Sequence, residues 1–255
     1  MCRAVAGAIF GQDYTEEEES STGTKTSKIE FTVLTSTERF PALANENVDL
    51  LSRITTHTME RDVWLEDAQS GFTFSVPYFY DGMAFAGTVP YGSCADNLDW
   101  ISAECSALKI CVLDGTTTIA QTRELGFPEG NIVPWTTSSG GGSSAVQGLV
   151  DGTCNAVAGE AYDISEVVVR EAGYSGPYEV GSNVYSHEPL AIVTRDNDPT
   201  FSDFVNWVLQ ALLTADEQMI AQSNAKEQMG KTDYFGEDFE NMMIDAVHTV
   251  GNYGE

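Results

Sequence analysis

The sequence predicts an α/β fold on three observations. Short apolar runs of strand character alternate with helical patterns over most of the chain, one long amphipathic helix stands out after residue 199, and 255 residues suffice for one large domain or two lobes of ordinary size. With 42% hydrophobic and 20% charged residues, the chain carries enough apolar surface to build a core over most of its length.

Taken in order, residues 2 to 10 place Ala, Val, Ile and Phe at helical spacing with no capping residue upstream, so this helix is expected to begin before Met1. From Gln12 to Lys28 the polar stretch TEEEESSTGTKTSK has too little apolar surface to pack and reads as a surface loop, its four glutamates a solvated tip rather than a metal site. IEFTVLT, from Ile29 to Thr35, alternates like a half-buried strand, and TSTERFPALANENVDLLS reads as a short helix, a turn and a second strand ending near Ser52. The strands of VPYFYDGMAFAG and LKICVLDG, a helix after Thr118 and the segment from Gly148 to Val157 continue the alternation, which implies a parallel or mixed sheet. SSGGGSS at 138–144 is read as a flexible loop in preference to a linker. PTFSDFVNWVLQALLTADEQMI sets Phe201, Phe204, Val205, Val208, Leu209 and Leu212 on one face, with the preceding DND as its cap. No internal repeat is evident.

Composition excludes several functions. Thirty-nine acidic residues against twelve basic ones give a formal charge of −27, which repels phosphate backbones and anionic lipid, so nucleic acid is not expected as a partner. The longest apolar run, Trp207 to Ala215, is broken by Gln210 and Thr214 and is too short to span a bilayer. MCRAVAGAIFG lacks the hydrophobic core and cleavage site of a signal peptide. Cys2, Cys94, Cys105, Cys111 and Cys154 show no CxxC spacing; they are either buried thiols or, in an oxidising compartment, disulfides with Cys94 to Cys105 and Cys111 to Cys154 as the plausible pairs, leaving Cys2 to seek a partner outside the chain.

Catalytic constellations are scarce. His57, His187 and His248 are scattered and no GxSxG motif occurs. Gly230-Lys231-Thr232 mimics the end of a P-loop, but Ala225 stands where the earlier glycine belongs. The DNDPTFSD run lacks the glycine and closing glutamate of a calcium loop. Neither a catalytic residue, a metal nor a cofactor is expected.

Three places could hold a small charged ligand. Ser52 to Asp62, SRITTHTMERD, is a hydroxyl-rich turn with Arg61 close behind; backbone N–H groups, a Thr hydroxyl and a guanidinium can together hold a carboxylate, although an N-capped helix with a surface salt bridge explains the same residues. Gly115-Thr116-Thr117-Thr118 closes a strand and opens a helix, which suits a small anion or simple capping. Glu160, just past a strand, could pair with an ammonium group.

CRAVAGAIFG, ERFPALANENVDLLSRITTHTMERD, VPYFYDGMAFAG, KICVLDGTTT, GTCNAV, SHEPLAIVTRDNDPTFSDFVNWVLQALLTADE and VGNYGE follow, in order, the pattern of the general L-amino-acid-binding proteins of ABC transporters, so the chain resembles solute-binding family 3 over nearly its whole length. The resemblance implies the two-lobed type 2 periplasmic-binding-protein fold. Lobe 1 would comprise 1–86 with 192–255, and lobe 2 would be 87–191. Hinge strands would lie around VPYFYDGMAFAG and EPLAIVTR, and ligand would be held as the lobes close. It implies that Arg61 holds an α-carboxylate, helped by the Thr56 hydroxyl and the backbone at Ile54, while the second lobe offers the Thr117 hydroxyl and Glu160 for the α-ammonium. The family usually has Asp preceded by Thr-Thr where this chain has Ala158-Gly159-Glu160. Arg53 and His57, beside the carboxylate turn, would shape side-chain selectivity.

The resemblance further implies an extracytoplasmic protein, periplasmic or extracellular, that captures an amino acid for uptake, acts as a monomer, delivers to a membrane permease and is not an enzyme. The alternatives are a receptor ligand-binding domain or a dehydratase-like enzyme on the same scaffold. Because the family begins with a strand ahead of the CRAVA helix and continues past VGNYGE, the pattern also implies truncation at both ends, with the first strand of lobe 1 missing.

Overall fold

The computed structural model describes residues 1–11, 28–136 and 145–255. The loop expected over Gln12 to Lys28, its glutamate tip, and the SSGGGSS loop therefore lie outside the described residues, save for Lys28 itself. The chain forms two compact units. One comprises Met1–Thr32, Ala42–Tyr78 and Ala191–Glu255; the other comprises Val33–Pro41 and Phe79–Leu190.

The first unit is organised around the helix Pro199–Glu217. Asp198 caps it by accepting a hydrogen bond from the Phe201 backbone N–H at 2.9 Å, and Pro199 occupies the first turn, where a missing N–H is harmless. Its apolar stripe buries Phe204, Val205, Val208, Leu209 and Leu212, with Phe201 partly covered, as the periodicity predicts. The helices Cys2–Phe10 and Met242–Val250 pack on this core, and they approach so closely that a Cβ on Gly7 would sit 2.3 Å from the Thr249 hydroxyl. A three-stranded antiparallel sheet lies beside them in the order Leu50–Leu51, Val193–Arg195, Phe72–Phe74.

The second unit is built on a five-stranded mixed sheet in the order Ile132–Trp135, Ile110–Leu113, Ala156–Glu160, Met83–Gly87, Glu179–Val180. The first three run parallel to one another; Met83–Gly87 is antiparallel to both its neighbours. The central strands are continuous apolar runs because both faces are covered, by Phe85, Leu108, Ile110 and Phe127 on one side and Ala84, Cys111, Leu149 and Val157 on the other. Of the two readings open for the cysteines, the structure takes the disulfides: Cys94 joins Cys105 and Cys111 joins Cys154, while Cys2 is free and partly exposed.

The short helix and strand expected before Ser52 are present as Arg39–Ala44 and Leu50–Leu51, and the helix after Thr118 begins one residue earlier, at Thr117. The expected strand IEFTVLT is not one: residues 29–35 join none of the sheets, and Phe31 and Val33 are exposed. Period-two alternation describes a face, but a strand also needs a neighbour to pair with, and none of the sheets includes this segment.

The chain passes from one unit to the other at Tyr78/Phe79 and at Leu190/Ala191, where the two-stranded pair Phe79–Asp81 and Glu188–Leu190 is formed. The first crossing falls earlier than the expected 86/87 because Met83–Gly87 is a central strand of the second unit's sheet, not a connection. Val33–Pro41, expected with the first lobe, groups with the second unit, where the Ser36 hydroxyl donates to the Asp114 carbonyl at 2.6 Å.

Candidate functional site

In the first unit the expected turn follows the strand Leu50–Leu51. Thr55 and Thr56 are buried, and the Ala191 N–H donates to the Thr55 carbonyl at 3.1 Å, which pins this turn to the returning chain. Thr58 adopts an extended backbone and caps the helix Met59–Val63, its hydroxyl accepting from the Arg61 N–H at 3.3 Å. The capping reading of this segment is thus correct, but Arg61 is not on the surface: it is only 5% exposed, and its Nη1 donates to the Thr56 carbonyl at 2.8 Å. A guanidinium keeps five donors in a rigid fork, so one arm anchored on the backbone fixes the plane in which the others point.

On the same turn His57 Nε2 is hydrogen-bonded to Asp62 Oδ2 at 2.6 Å, with the imidazole stacked on Phe74 at 4.3 Å between ring centroids. Ile54, on the same turn, is exposed.

In the second unit the turn after Ile110–Leu113 depends on Gly115, whose φ of +70° belongs to the left-handed region and whose absent Cβ would lie 2.7 Å from Thr37. Thr116 does not cap the helix with its side chain; its hydroxyl donates back to the Leu113 carbonyl at 2.6 Å. The Thr117 hydroxyl donates to Glu188 Oε2 at 3.2 Å. Glu160 is the last residue of the strand Ala156–Glu160, opposite Met83, not beyond the strand's end.

Burial pushes the Glu160 carboxyl up to about 7, and the negative charges of Asp163, Glu188 and Asp81 add to that rise against an opposing hydrogen bond from its own backbone. Near neutral pH the group is therefore poised between acid and carboxylate, and a cation beside it would favour ionisation.

Two residues that bear on this site were not singled out in the sequence. Glu188 has no exposed surface, and it accepts from the Ser186 hydroxyl at 2.9 Å as well as from Thr117. Asp81 is its cross-strand partner. Acidic residues are so numerous that no local signal marks these two; only the pairing of distant strands does. Thr117, Glu160 and Glu188 are brought together on the second unit, while Ile54, Thr56 and Arg61 share one turn on the first. Among the described residues, no group of three or more His, Cys, Asp or Glu side chains could hold a metal ion, and no helix is long and apolar enough to cross a membrane.

Comparison with known proteins adds independent ground. No protein-family model matches the chain. YhdW of Escherichia coli (strain K12), named as an amino-acid ABC transporter-binding protein, is 30% identical over 273 residues, an alignment covering all of this chain and 72% of that protein. The general L-amino acid-binding periplasmic protein AapJ of Rhizobium johnstonii is 28% identical over 284 residues, with 100% and 72% covered. Among solved structures, an ABC transporter periplasmic binding protein from Brucella ovis with glutathione bound superposes with a TM-score of 0.69 at 28% identity, covering 99% of this chain and 76% of that one. With 30% identity to YhdW across its whole length, and with the α/β two-lobed architecture of the type 2 periplasmic binding proteins, the chain belongs to the amino-acid ABC transporter-binding proteins of solute-binding family 3.

Proposed function

We propose that this protein captures an amino acid outside the cytoplasm and delivers it, as a monomer and without chemical change, to the permease of an ABC transporter. Arg61 takes the α-carboxylate on the first unit, supported by the Thr56 hydroxyl and the backbone at Ile54. Glu160 takes the α-ammonium on the second, with Thr117 beside it. The observation that carries this assignment is Arg61, 5% exposed and anchored through Nη1 on the Thr56 carbonyl, in a family whose relatives are named for binding amino acids. A buried guanidinium is costly to desolvate and is well matched to a planar carboxylate, which it can hold with two parallel hydrogen bonds.

Glu160 fits the complementary role. The charges of Asp163, Glu188 and Asp81 that act on it are negative, so an arriving ammonium stabilises the carboxylate that burial disfavours. A carboxyl poised in this way also suits general acid–base chemistry; the binding role is preferred because the named relatives are binding proteins.

The test is a thermal-shift panel of the twenty proteinogenic L-amino acids together with glutathione, the ligand of the Brucella ovis structure. Ligand at a hundred times its Kd adds about 2.7 kcal/mol to stability. A selective rise establishes capture and names the ligand class; no rise with any of them in a folded sample refutes the reading. Arg61→Ala is expected to weaken the best binder by about a hundredfold or more, and unchanged affinity would move the carboxylate site elsewhere.

A further inference from the structure

We propose that Glu188 is a positioning residue that turns the Thr117 hydroxyl into a hydrogen-bond acceptor, so that Thr117 receives an N–H of the bound amino acid's ammonium instead of donating to its carboxylate. The inference rests on the amino-acid-binding reading above.

A threonine hydroxyl has one hydrogen and two lone pairs. In this protein that hydrogen is directed to Glu188 Oε2 at 3.2 Å, across 71 residues of sequence. Glu188 is held in place for the purpose. It is completely buried, its other oxygen accepts from the Ser186 hydroxyl at 2.9 Å, and Ser186 is in turn fixed by the Met83 N–H at 2.9 Å. The strand that carries Glu188 is locked in register against Phe79–Asp81. With its hydrogen committed to a carboxylate, the Thr117 oxygen has only lone pairs left to offer a ligand.

The surroundings agree with that polarity. Glu188 is the common neighbour of Thr117, by hydrogen bond, and of Glu160, by charge, and the helix Thr117–Glu124 packs on the strand that ends in Glu160. Thr116 likewise spends its hydrogen on the Leu113 carbonyl. The hydroxyls of this turn and the carboxylate of Glu160 thus form one set of acceptors, complementary to a tetrahedral donor with three hydrogens and poorly matched to an anion.

The experiment is a double-mutant cycle read by calorimetric titration of whichever of the twenty L-amino acids binds best, on the whole chain and on Thr117→Val, Thr117→Ser, Glu188→Gln and the Thr117→Val/Glu188→Gln pair. Thr117→Val is expected to lose about tenfold to a hundredfold in affinity and Thr117→Ser to retain most of it. Glu188→Gln, whose amide can donate to Thr117 and reverse its polarity, is expected to lose a similar factor while melting within a few degrees of the parent. The double variant should lose no more than about threefold beyond the worse single one, because both remove the same interaction. Losses that multiply in the double variant would overturn the coupling.

A second arm measures the deaminated acid of the same side chain by displacement. Thr117→Val should leave its affinity within about twofold, whereas a loss equal to that of the amino acid would show that Thr117 serves the carboxylate. If Glu188→Gln does not fold, Thr117→Val and the deaminated acid decide the question. If none of the amino acids binds the parent protein, the capture reading itself falls; if one binds and the cycle is additive, only this inference does.

Discussion

At the scale of single residues, Glu160 shows how position overrides identity. It is one of thirty-nine acidic residues, yet burial at the end of a central strand raises its carboxyl from 4.5 to about 7. The folded protein therefore keeps a proton that the unfolded chain releases near 4.5, so this group's stabilising contribution is complete below that pH and is lost as pH rises through about 7. Glu160→Gln, which mimics the protonated acid, is expected to melt a few degrees higher than the parent at pH 8 without ligand and to flatten the fall in Tm between pH 5 and 7.5. Parallel melting curves across that range would show that the carboxyl is not buried as described. Arg61 is the complementary case: the turn SRITTHTMERD and its cap were readable because N-capping is local, whereas the burial of the guanidinium was not, since burial is set by whatever the folded chain brings around a side chain. Glu188 was invisible for the same reason, its role being defined by Thr117 and Ser186 and by a strand partner from far along the chain.

At the scale of elements, local periodicity and tertiary pairing can be told apart. The helix Pro199–Glu217 was legible because its stripe, its Asp198 cap and its Pro199 start are all written within one segment. Leu209, fully buried on that stripe, is expected to cost about 2–5 kcal/mol as Leu209→Ala, measurable by urea unfolding. IEFTVLT failed as a strand because alternation alone supplies no neighbour. The disulfides divide by loop length. Cys111–Cys154 closes a separation of 43 residues and Cys94–Cys105 one of 11, so chain entropy assigns about 4 kcal/mol to the first and about 3 to the second. Replacing each pair by serine should therefore lower stability more at Cys111/Cys154. The opposite order in a chemical denaturation series would mean that packing around the sulfurs, where Gly148 lies against Cys111, outweighs loop closure.

At the scale of the whole molecule, net charge and division into units dominate. A formal charge of −27 on 255 residues disfavours the compact state through self-repulsion, and salt screens exposed charges beyond roughly 10 Å at 0.1 M. The Tm is expected to rise between 10 mM and 0.5 M sodium chloride at pH 8 and to change less at pH 4.5, where many carboxylates are neutral. A flat response at both pH values would show that self-repulsion of the excess acid does not limit stability. The division into units also carries the proposed chemistry, with Ile54, Thr56 and Arg61 on one and Thr117 and Glu160 on the other.

The sequence by itself determined the α/β class, the order and type of most elements, the capped turn bearing Arg61 and the glycine turn bearing Thr117, because these follow from periodicity, capping and backbone freedom within a few residues of each other. The order of ERFPALANENVDLLS, KICVLDGTTT and SHEPLAIVTR along the chain was enough to indicate the family to which identity with YhdW assigns it. Only the tertiary structure decided which acidic residues matter, which way the Thr117 hydrogen points, whether the two candidate cysteine pairs join and where the chain crosses between units. Those depend on residues far apart in sequence meeting in space: strand pairing brings Asp81 to Glu188 and a buried carboxylate reaches back 71 positions to a threonine, and local pattern carries no record of such encounters.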